Sequence, residues 1–337
     1  MDESKLEVQP DDDHFKESNI HIGSENPKVS RKVRRLIRKY RNIFREYCVA
    51  GEQAKVTPEV LPLKPDATPQ ICPIFAKRPE IHQEVEQFAA KLAERGLTKE
   101  QRSNWRANIV LLKKKDGTKR FAIDYRRLNE QSATVSYPMP LIQEIFANLN
   151  GMKYFSKVDF CDGYWGIPLD ENSKNMTGFA TRTKQYVWNV LPQGYINAGN
   201  IFQNNVNDAL GDMLWNGAMP YVDDVIIYSK TLKEHLDKLE LFFERMAKIG
   251  FFLKLRKCEF IMQEMEFLGH TLSDKGLRPS DEKIKAISQI SAPTMKKGVQ
   301  SFLSLARFYR RYIKDFSKKS HELKQLTKKN SDFVVNK

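Results

Sequence analysis

The sequence predicts an α+β fold, in which β-hairpins and amphipathic helices follow one another along the chain. Two segments, residues 109–125 and 219–229, each consist of two β-prone runs around a short polar turn, which is typical of antiparallel hairpins. Two other segments, residues 80–95 and 232–249, repeat apolar side chains at helical spacing. With 337 residues, 41% of them hydrophobic, the chain is long enough to form more than one buried core.

Charge is distributed unevenly along the chain. The formal net charge is +14, yet acids dominate residues 1–19, and we expect a disordered acidic tail through residue 27. Residues 28–45 contain nine Lys and Arg and no acid, and residues 294–329 contain eleven Lys and Arg against two acids. Two basic blocks of this size indicate a polyanionic partner, of which nucleic acid is the commonest, while a solubilising surface is the alternative.

The cysteines and the hydropathy exclude several classes of protein. The four cysteines are scattered, without C-x-x-C spacing or histidines at ligand spacing, which argues against a zinc site and a disulfide framework. No apolar run approaches the ~18 residues of a membrane span, and no signal-peptide pattern is present. We therefore expect an intracellular protein, cytoplasmic or nuclear, that is neither secreted nor embedded in a membrane.

The N-terminal part begins with a basic helix. It is predicted over residues 28–47, because Val33, Ile37 and Phe44 recur at helical spacing. Six prolines between residues 58 and 79 then predict an extended connector, since proline is excluded from helix interiors. The amphipathic helix over residues 80–95 should end at Gly96.

Two following segments place charged residues at turns and strand ends. The hairpin over residues 109–125 carries Lys114 and Arg120 beside its turn, where they are either solvated or directed at a phosphate group. A strand over residues 154–158 delivers Asp159 at its end. An acid in that position is more commonly a cap than a catalyst, unless it meets other acids in space.

Such acids occur at the tip of the hairpin over residues 219–229. Asp223 and Asp224 are adjacent there, and because neighbouring carboxylates repel each other, a cation is expected beside them. A solvated turn is the alternative. Between Asp159 and this hairpin, strands are predicted at residues 177–181 and 185–190, followed by a helix that ends near Leu210.

The C-terminal part continues with alternating elements. A helix over residues 232–249 precedes predicted strands at residues 251–255 and 264–272. Ser280, followed by two acids, should start a further helix, and the basic segment 294–329 is predicted to be helical.

Several short motifs occur in a defined order between residues 58 and 330. They are K-K-D-G-T at 114–118, D-Y-R-R-L-N at 124–129, Y-F-S-K-V-D at 154–159, P-Q-G at 192–194, Y-V-D-D at 221–224, K-C-E-F at 257–260, F-L-G-H at 267–270 and S-F-L-S-L at 301–305. The ordered set resembles the reverse transcriptases of gypsy-type LTR retrotransposons, which are parts of retrovirus-related Pol polyproteins.

The resemblance implies the right-hand polymerase fold, with fingers, a palm made of an antiparallel sheet backed by helices, and the start of a thumb. Together with the basic helix and linker expected at 28–57, it implies a connector and fingers helix at 58–93, fingers and palm at 94–273, and a thumb with a truncated connection at 274–337. The protease, RNase H and integrase of such polyproteins have no counterpart in this sequence, so we expect a fragment or a truncated gene.

The resemblance also implies the chemistry. Asp159, Asp223 and Asp224 would together bind two Mg²⁺ ions, or Mn²⁺ in their place, with the backbone carbonyl of Phe160 as a further ligand. One ion would activate the primer 3′-hydroxyl and the other would hold the dNTP. The implied partners are an RNA or DNA template, its RNA/DNA or DNA duplex, and dNTPs.

Other motif positions imply contacts to the nucleotide and the primer. The implied nucleotide contacts are Lys114, Arg120, Asp162, Gly163, Tyr164 and Gln193. The implied primer grip comprises Phe267, Leu268, Gly269 and His270. Tyr164 would lie under the sugar and reject ribonucleotides.

The chain departs from the family pattern at positions other than the three acids. Trp165-Gly166 stands where the family commonly has His-Gln, and Gly199 replaces a usual proline. These departures leave an alternative function open, a catalytically inactive remnant that binds nucleic acid.

Overall fold

The computed structural model describes residues 15–47, 52–74, 78–113 and 119–328. The chain divides into two compact units. The first comprises the residues up to Asn148 and Lys153–Met262, and the second comprises Leu149–Met152 and the residues from Gln263 onward. All three candidate catalytic acids belong to the first unit.

Both units combine strands with helices, which confirms the α+β prediction. The strands of the described ranges are β1 (His21–Ile22), β2 (Thr98–Glu100), β3 (Ala107–Lys113), β4 (Lys119–Asp124), β5 (Tyr154–Asp159), β6 (Phe179–Ala180), β7 (Gln185–Trp188), β8 (Ala218–Tyr221), β9 (Asp224–Ser229), β10 (Glu259–Met262), β11 (Glu264–Phe267), β12 (His270–Ser273) and β13 (Gly276–Pro279). The α-helices of these ranges are α1 (Pro27–Lys39), α2 (Pro79–Glu94), α3 (Arg126–Gln131), α4 (Ile142–Leu149), α5 (Glu171–Met176), α6 (Ala198–Leu210), α7 (Leu232–Ile249), α8 (Asp281–Ser288), α9 (Lys296–Phe308), α10 (Phe316–Lys319) and α11 (His321–Leu326). Within these ranges, no helix has both the length and the apolar character needed to cross a membrane.

A five-stranded sheet in the first unit carries the candidate acids. Its strand order is β1-β10-β5-β9-β8, and every pair except β1–β10 is antiparallel. The central strands β5 and β9 are buried, and helices α6 and α7 pack against β8 and β9. The helix predicted over residues 232–249 is confirmed as α7, which begins after the N-cap Thr231 and ends at Gly250, whose φ is +87°.

A second sheet of the first unit contains the hairpin predicted over residues 109–125. Its order is β2-β7-β6-β3-β4, and β3 and β4 pair with Ile109 opposite Ile123. Helix α2 packs on this sheet, because the ring of Phe88 stacks on Phe121 with centroids 4.9 Å apart. The amphipathic helix predicted over residues 80–95 is therefore confirmed, and Gly96, with φ +64°, follows its end.

The N-terminal region differs from its prediction in two respects. Residues 17–22 are ordered, because Ile20 is buried and β1 pairs with β10, so the expected disordered tail through residue 27 is wrong for this stretch. Residues 1–14 lie outside the described residues. Helix α1 ends at Lys39 rather than near residue 47, because the chain then forms a 3₁₀ turn and Phe44 pairs with Leu253.

Two predicted strands are also wrong. Residues 251–255 form no strand, since Leu253 makes only isolated bridges with Phe44 and Phe160. Residues 264–272 form two strands, β11 and β12, because the chain reverses at Leu268 and Gly269, whose φ angles are +50° and +76°.

The second unit combines a small sheet with helices. Strands β11, β12 and β13 are antiparallel neighbours in that order. Ser280 caps α8 as predicted, since its hydroxyl accepts a hydrogen bond from the Lys283 N–H. The described part of the basic segment, residues 294–328, contains three helices, α9, α10 and α11, with Asp315 in a left-handed conformation before α10.

A buried histidine ties α7 to the two central strands of the first sheet. His235 Nε2 lies 2.8 Å from Ser156 Oγ on β5, and Nδ1 lies 3.1 Å from Ser229 Oγ on β9. The Ser229 hydroxyl donates to the Thr231 carbonyl, so the histidine must donate from Nδ1 and accept at Nε2. The network is therefore fully hydrogen-bonded with a neutral imidazole.

This network predicts that acid destabilises the first unit. Burial lowers the pKa of His235 from 6.5 to about 4. Between these values the unfolded state binds the proton and the folded state does not, so the free energy of unfolding falls as pH drops below about 6.5, by up to ~1.4 kcal/mol per pH unit. Urea unfolding between pH 4.5 and 8 measures this slope.

Two variants identify the source of that slope. His235→Asn should reduce the pH dependence, whereas His321→Gln, which removes an exposed histidine, should leave it as in the unmodified chain. An unreduced slope in His235→Asn would show that other groups cause the acid sensitivity.

Candidate active site

Two of the predicted catalytic acids face each other across neighbouring strands. Asp159 is the last residue of β5, Asp224 is the first residue of β9, and the antiparallel register pairs them directly. Paired residues of an antiparallel sheet project from the same face. Asp223 precedes Asp224 at the tip of the β8–β9 hairpin. The structure thus brings Asp159, Asp223 and Asp224 into one place, which we name the acidic corner.

The acidic corner concentrates negative charge beside two lysines. Burial raises the pKa of Asp224, and the carboxylates of Asp159 and Asp223 raise it further. Lys157 and Lys257 act in the opposite direction. Lys257 Nζ lies 2.9 Å from Asp159 Oδ2 and 3.1 Å from Oδ1. Lys157 and Lys257 are thus the cations that act on Asp224, and Lys257 is also bonded to Asp159.

The hairpin tip that carries Asp223 has a strained backbone conformation and is hydrogen-bonded to a side chain of α6. Val222 has φ +55°, a left-handed conformation that β-branched residues rarely adopt and that costs ~1–3 kcal/mol. Its N–H donates to Oε1 of Gln203 on α6 at 2.9 Å, and Nε2 of Gln203 donates to the Pro220 carbonyl at 3.3 Å. Gln203 is fully buried, so it fixes the backbone on both sides of Tyr221.

Tyr164 connects the acidic corner to the turn after β5. Burial raises the pKa of Tyr164 to about 12, and the charge of Asp223 and a hydrogen bond to it act in the same direction. The phenol is therefore neutral and donates to the Asp223 carboxylate. Its ring packs against Phe202 with centroids 5.3 Å apart.

The turn itself rests on a buried ion pair. Asp162, predicted as a nucleotide contact, has φ +47°, and its Oδ2 lies 3.2 Å from Nη2 of Arg95. Both side chains are about 1% exposed, and the guanidinium also lies over the ring of Trp165. The Asp162 carboxylate is thus engaged by Arg95, and removing either partner would leave a buried charge.

The next residue of the turn requires the absence of a side chain. A Cβ at Gly163 would lie 2.6 Å from the Phe202 ring. The ring of Phe160, whose carbonyl is the predicted metal ligand, packs edge-on against the same ring at 5.2 Å. The turn therefore lies directly on α6.

The remaining predicted nucleotide contacts are less fully described. Gln193 is half-buried in the loop before α6, next to Gly194, whose φ is +92°. Lys114 lies outside the described residues. Arg120 lies on β4 opposite Leu112, and only its backbone is described.

The predicted primer grip forms a tight turn in the second unit. Phe267 pairs with His270 across the β11–β12 turn, which Leu268 and Gly269 form with positive φ angles. His270 is buried, and its ring packs within 5.6 Å of the rings of Phe308, Tyr309 and Tyr312. These aromatics of the basic C-terminal segment therefore support the turn.

Three residues of the site were not assigned from the sequence. Lys257 belongs to the K-C-E-F motif, but only the folded chain places it on Asp159. Gln203 is one of several amides on α6 and carries no distinguishing signal. Arg95 precedes a helix-ending glycine, where a basic residue is commonplace.

The donor set of the acidic corner fits magnesium, although it is not assembled as a metal site. Carboxylate oxygens are the protein ligands that Mg²⁺ prefers. Across the described ranges, no group of three His, Cys, Asp or Glu is already arranged to hold a metal. Asp159 and Asp223 are instead bonded to Lys257 and Tyr164, so these two contacts would have to open for the carboxylates to bind a cation.

Comparison with known proteins agrees with this geometry. Residues 112–272 match the family described as reverse transcriptase (RNA-dependent DNA polymerase). The Pol polyprotein of transposon 297 from Drosophila melanogaster is 34% identical over 254 residues, which cover 73% of this chain and 24% of that protein. The Pol polyprotein of transposon gypsy is 36% identical over 199 residues, covering 59% of this chain and 19% of that protein. The chain thus spans a fifth to a quarter of these relatives.

Solved structures match a larger part of the chain. A foamy viral protease-reverse transcriptase in complex with double-stranded DNA aligns with a TM-score of 0.80 and 28% identity, over 90% of this chain and 53% of that one. The foamy viral protein in complex with an RNA/DNA hybrid aligns with a TM-score of 0.78 and 27% identity, over 90% of this chain and 41% of that one. The predicted polymerase fold is therefore confirmed, and the chain contains a reverse transcriptase domain over residues 112–272, with relatives among the Pol polyproteins of gypsy-type retrotransposons.

Proposed function

We propose that the chain is an RNA-directed DNA polymerase that extends a primer with dNTPs on an RNA or DNA template. The observation that carries the proposal is the register pairing of Asp159 with Asp224 beside Asp223, within a reverse transcriptase domain. Complexes of the foamy viral relatives with double-stranded DNA and RNA/DNA hybrid support a duplex partner.

The acidic corner would hold two divalent cations. When bound, Mg²⁺ would acidify the primer 3′-hydroxyl and neutralise the triphosphate. Asp159 and Asp223 would contribute ligands once Lys257 and Tyr164 release them. Lys257 keeps the charge of Asp159 balanced before that exchange.

Tyr164 and its turn would define the nucleotide pocket. The turn is fixed by the Arg95–Asp162 pair and by close packing of Gly163 on Phe202. This rigidity would hold the Tyr164 ring under the sugar, where it excludes a ribose 2′-hydroxyl. Before a cation binds, the Tyr164 hydroxyl would hold the Asp223 carboxylate by a hydrogen bond.

Removal of one carboxylate should abolish primer extension without abolishing binding. Asp223→Asn should lower the rate of dNTP addition to oligo-dT on poly-rA by about a thousandfold, equivalent to ~4 kcal/mol of barrier, because a ligand charge is lost. Gel-resolved extension with Mg²⁺ or Mn²⁺ measures the rate, and fluorescence anisotropy measures duplex affinity, which should be unchanged.

The control is Asp237→Asn, which removes an exposed acid of α7 and should extend normally. If the unmodified chain binds the duplex but does not extend it with either metal, the proposed polymerase activity is refuted and the chain is a nucleic-acid-binding remnant.

Loss of the Gln203 amide should impair catalysis more than binding. Gln203→Leu leaves the Val222 N–H and the Pro220 carbonyl without their partner, so the strained tip should relax and displace Asp223. We expect kcat to fall by about 10- to 100-fold, since small misplacements of reacting groups have effects of this size. The KM for the primer–template should stay within about twofold.

Asn205→Leu is the matched control, because Asn205 is a buried amide of the same helix that bonds to Glu59 rather than to the hairpin. Both variants should lower the melting temperature, but only Gln203→Leu should lower kcat strongly. Equal kcat values in the two variants would contradict a positioning role for Gln203.

A further inference from the structure

Helix α1 presents a basic stripe that the polymerase site does not use. Its members are Lys28, Arg31, Lys32 and Arg35, which are spaced i, i+3, i+4 and i+7 and therefore lie on one face over about 10 Å. All four are exposed. Among the described residues, none of them forms a salt bridge.

The stripe lies opposite the face that attaches the helix to the first unit. The buried residues of α1 are Val29, Val33 and Ile37, which join the core of the first unit. At about 100° per residue, the centre of the basic stripe lies some 145° around the helix from this buried face. The stripe is therefore directed at solvent by a helix that is firmly packed on its other side.

Helix stability does not account for these charges. The first turn of α1 contains no acid, and Lys28 lies in that turn, where the helix dipole disfavours a cation by roughly 0.3–1 kcal/mol. Local ion pairing does not account for them either. The ion pairs of α1 in the described ranges involve Arg38 with Glu17 and Lys39 with Glu240, both outside the stripe. A row of four exposed cations that no ion pair of the described ranges neutralises indicates a binding role.

The neighbouring contacts show which chemistry this helix accepts. Arg38 holds both carboxylate oxygens of Glu17, with Nη2 2.8 Å from Oε2, and Arg34 donates to the Glu17 carbonyl. Arginine forms the same bidentate contacts with phosphate oxygens. Two of the four stripe residues are arginines, and a row of cations without acids suits a row of phosphates.

We propose that the α1 stripe is a second nucleic-acid contact, which binds the phosphate backbone of a duplex outside the acidic corner. The contact is sequence-independent, because phosphates carry no base information. It strengthens binding without taking part in nucleotide addition, and it does not depend on the chain being an active polymerase.

The test is the salt dependence of duplex binding by the full chain. Arg31→Gln/Lys32→Gln/Arg35→Gln removes three charges and keeps strong helix formers. Anisotropy with a labelled RNA/DNA duplex between 50 and 300 mM KCl should show a slope of log K against log salt that is smaller by about 2 to 3, since each phosphate contact contributes about 0.9. The melting temperature should change little, because the three residues are exposed and glutamine is a strong helix former.

A matched triple variant separates the effect of this contact from the effect of lowering the net charge by three. Lys230→Gln/Lys233→Gln/Lys248→Gln removes three exposed lysines at and near α7 in the same unit and should leave the slope within about 0.5 of the unmodified value, because no phosphate contact is lost. Equal changes in both triple variants, or no change in the α1 variant, would overturn the proposal. It would equally be overturned if the α1 variant kept duplex binding but lost binding to vesicles that contain anionic lipid.

Discussion

The first unit is built around three carboxylates that repel one another. Asp159 and Asp224 are register partners, and Asp223 follows a residue in a strained conformation, so the fold brings these charges together at an energetic cost. Burial raises the pKa of Asp224, and the charges of Asp159 and Asp223 raise it further. Lys257 offsets part of the negative charge in the folded chain. A divalent cation in place of the lysine would neutralise more of this negative charge, which is the physical basis of the proposed activity.

The scaffold restrains this corner from three directions. His235 joins α7 to β5 and β9, the strands that deliver the acids. Gln203 fixes the hairpin tip from α6. The buried Arg95–Asp162 pair fixes the turn that carries Tyr164. Each restraint uses a buried polar group with defined partners. Such groups specify one geometry, because any other geometry would leave a buried polar group without its hydrogen bond, at a cost in free energy. The corner is therefore preorganised by hydrogen bonds rather than by packing alone.

The spacing of apolar residues predicted the long helices, but it did not predict tight turns or contacts between distant segments. Residues 232–249 and 80–95 were recognisable because amphipathic spacing and terminal glycines agree. The reversal at Leu268 was not, since its positive φ is unusual for a residue with a side chain. The order at Ile20 depends on pairing with β10, more than 230 residues away. Arg95 lies over the ring of Trp165, which is 70 residues further along the chain. Contacts between residues so far apart in the sequence leave no pattern in the local sequence from which they could be predicted.

The most direct test is the affinity of the acidic corner for Mn²⁺, measured from the electron paramagnetic resonance signal of the free ion in the presence of a primer–template duplex. We expect Asp159→Asn to weaken Mn²⁺ binding at least about tenfold and Lys257→Met to strengthen it, because the lysine competes with the cation for the same carboxylate. Asp237→Asn should bind as the unmodified chain does. Indistinguishable Mn²⁺ affinities in Asp159→Asn and Asp237→Asn would contradict the assignment of the acidic corner as a metal site.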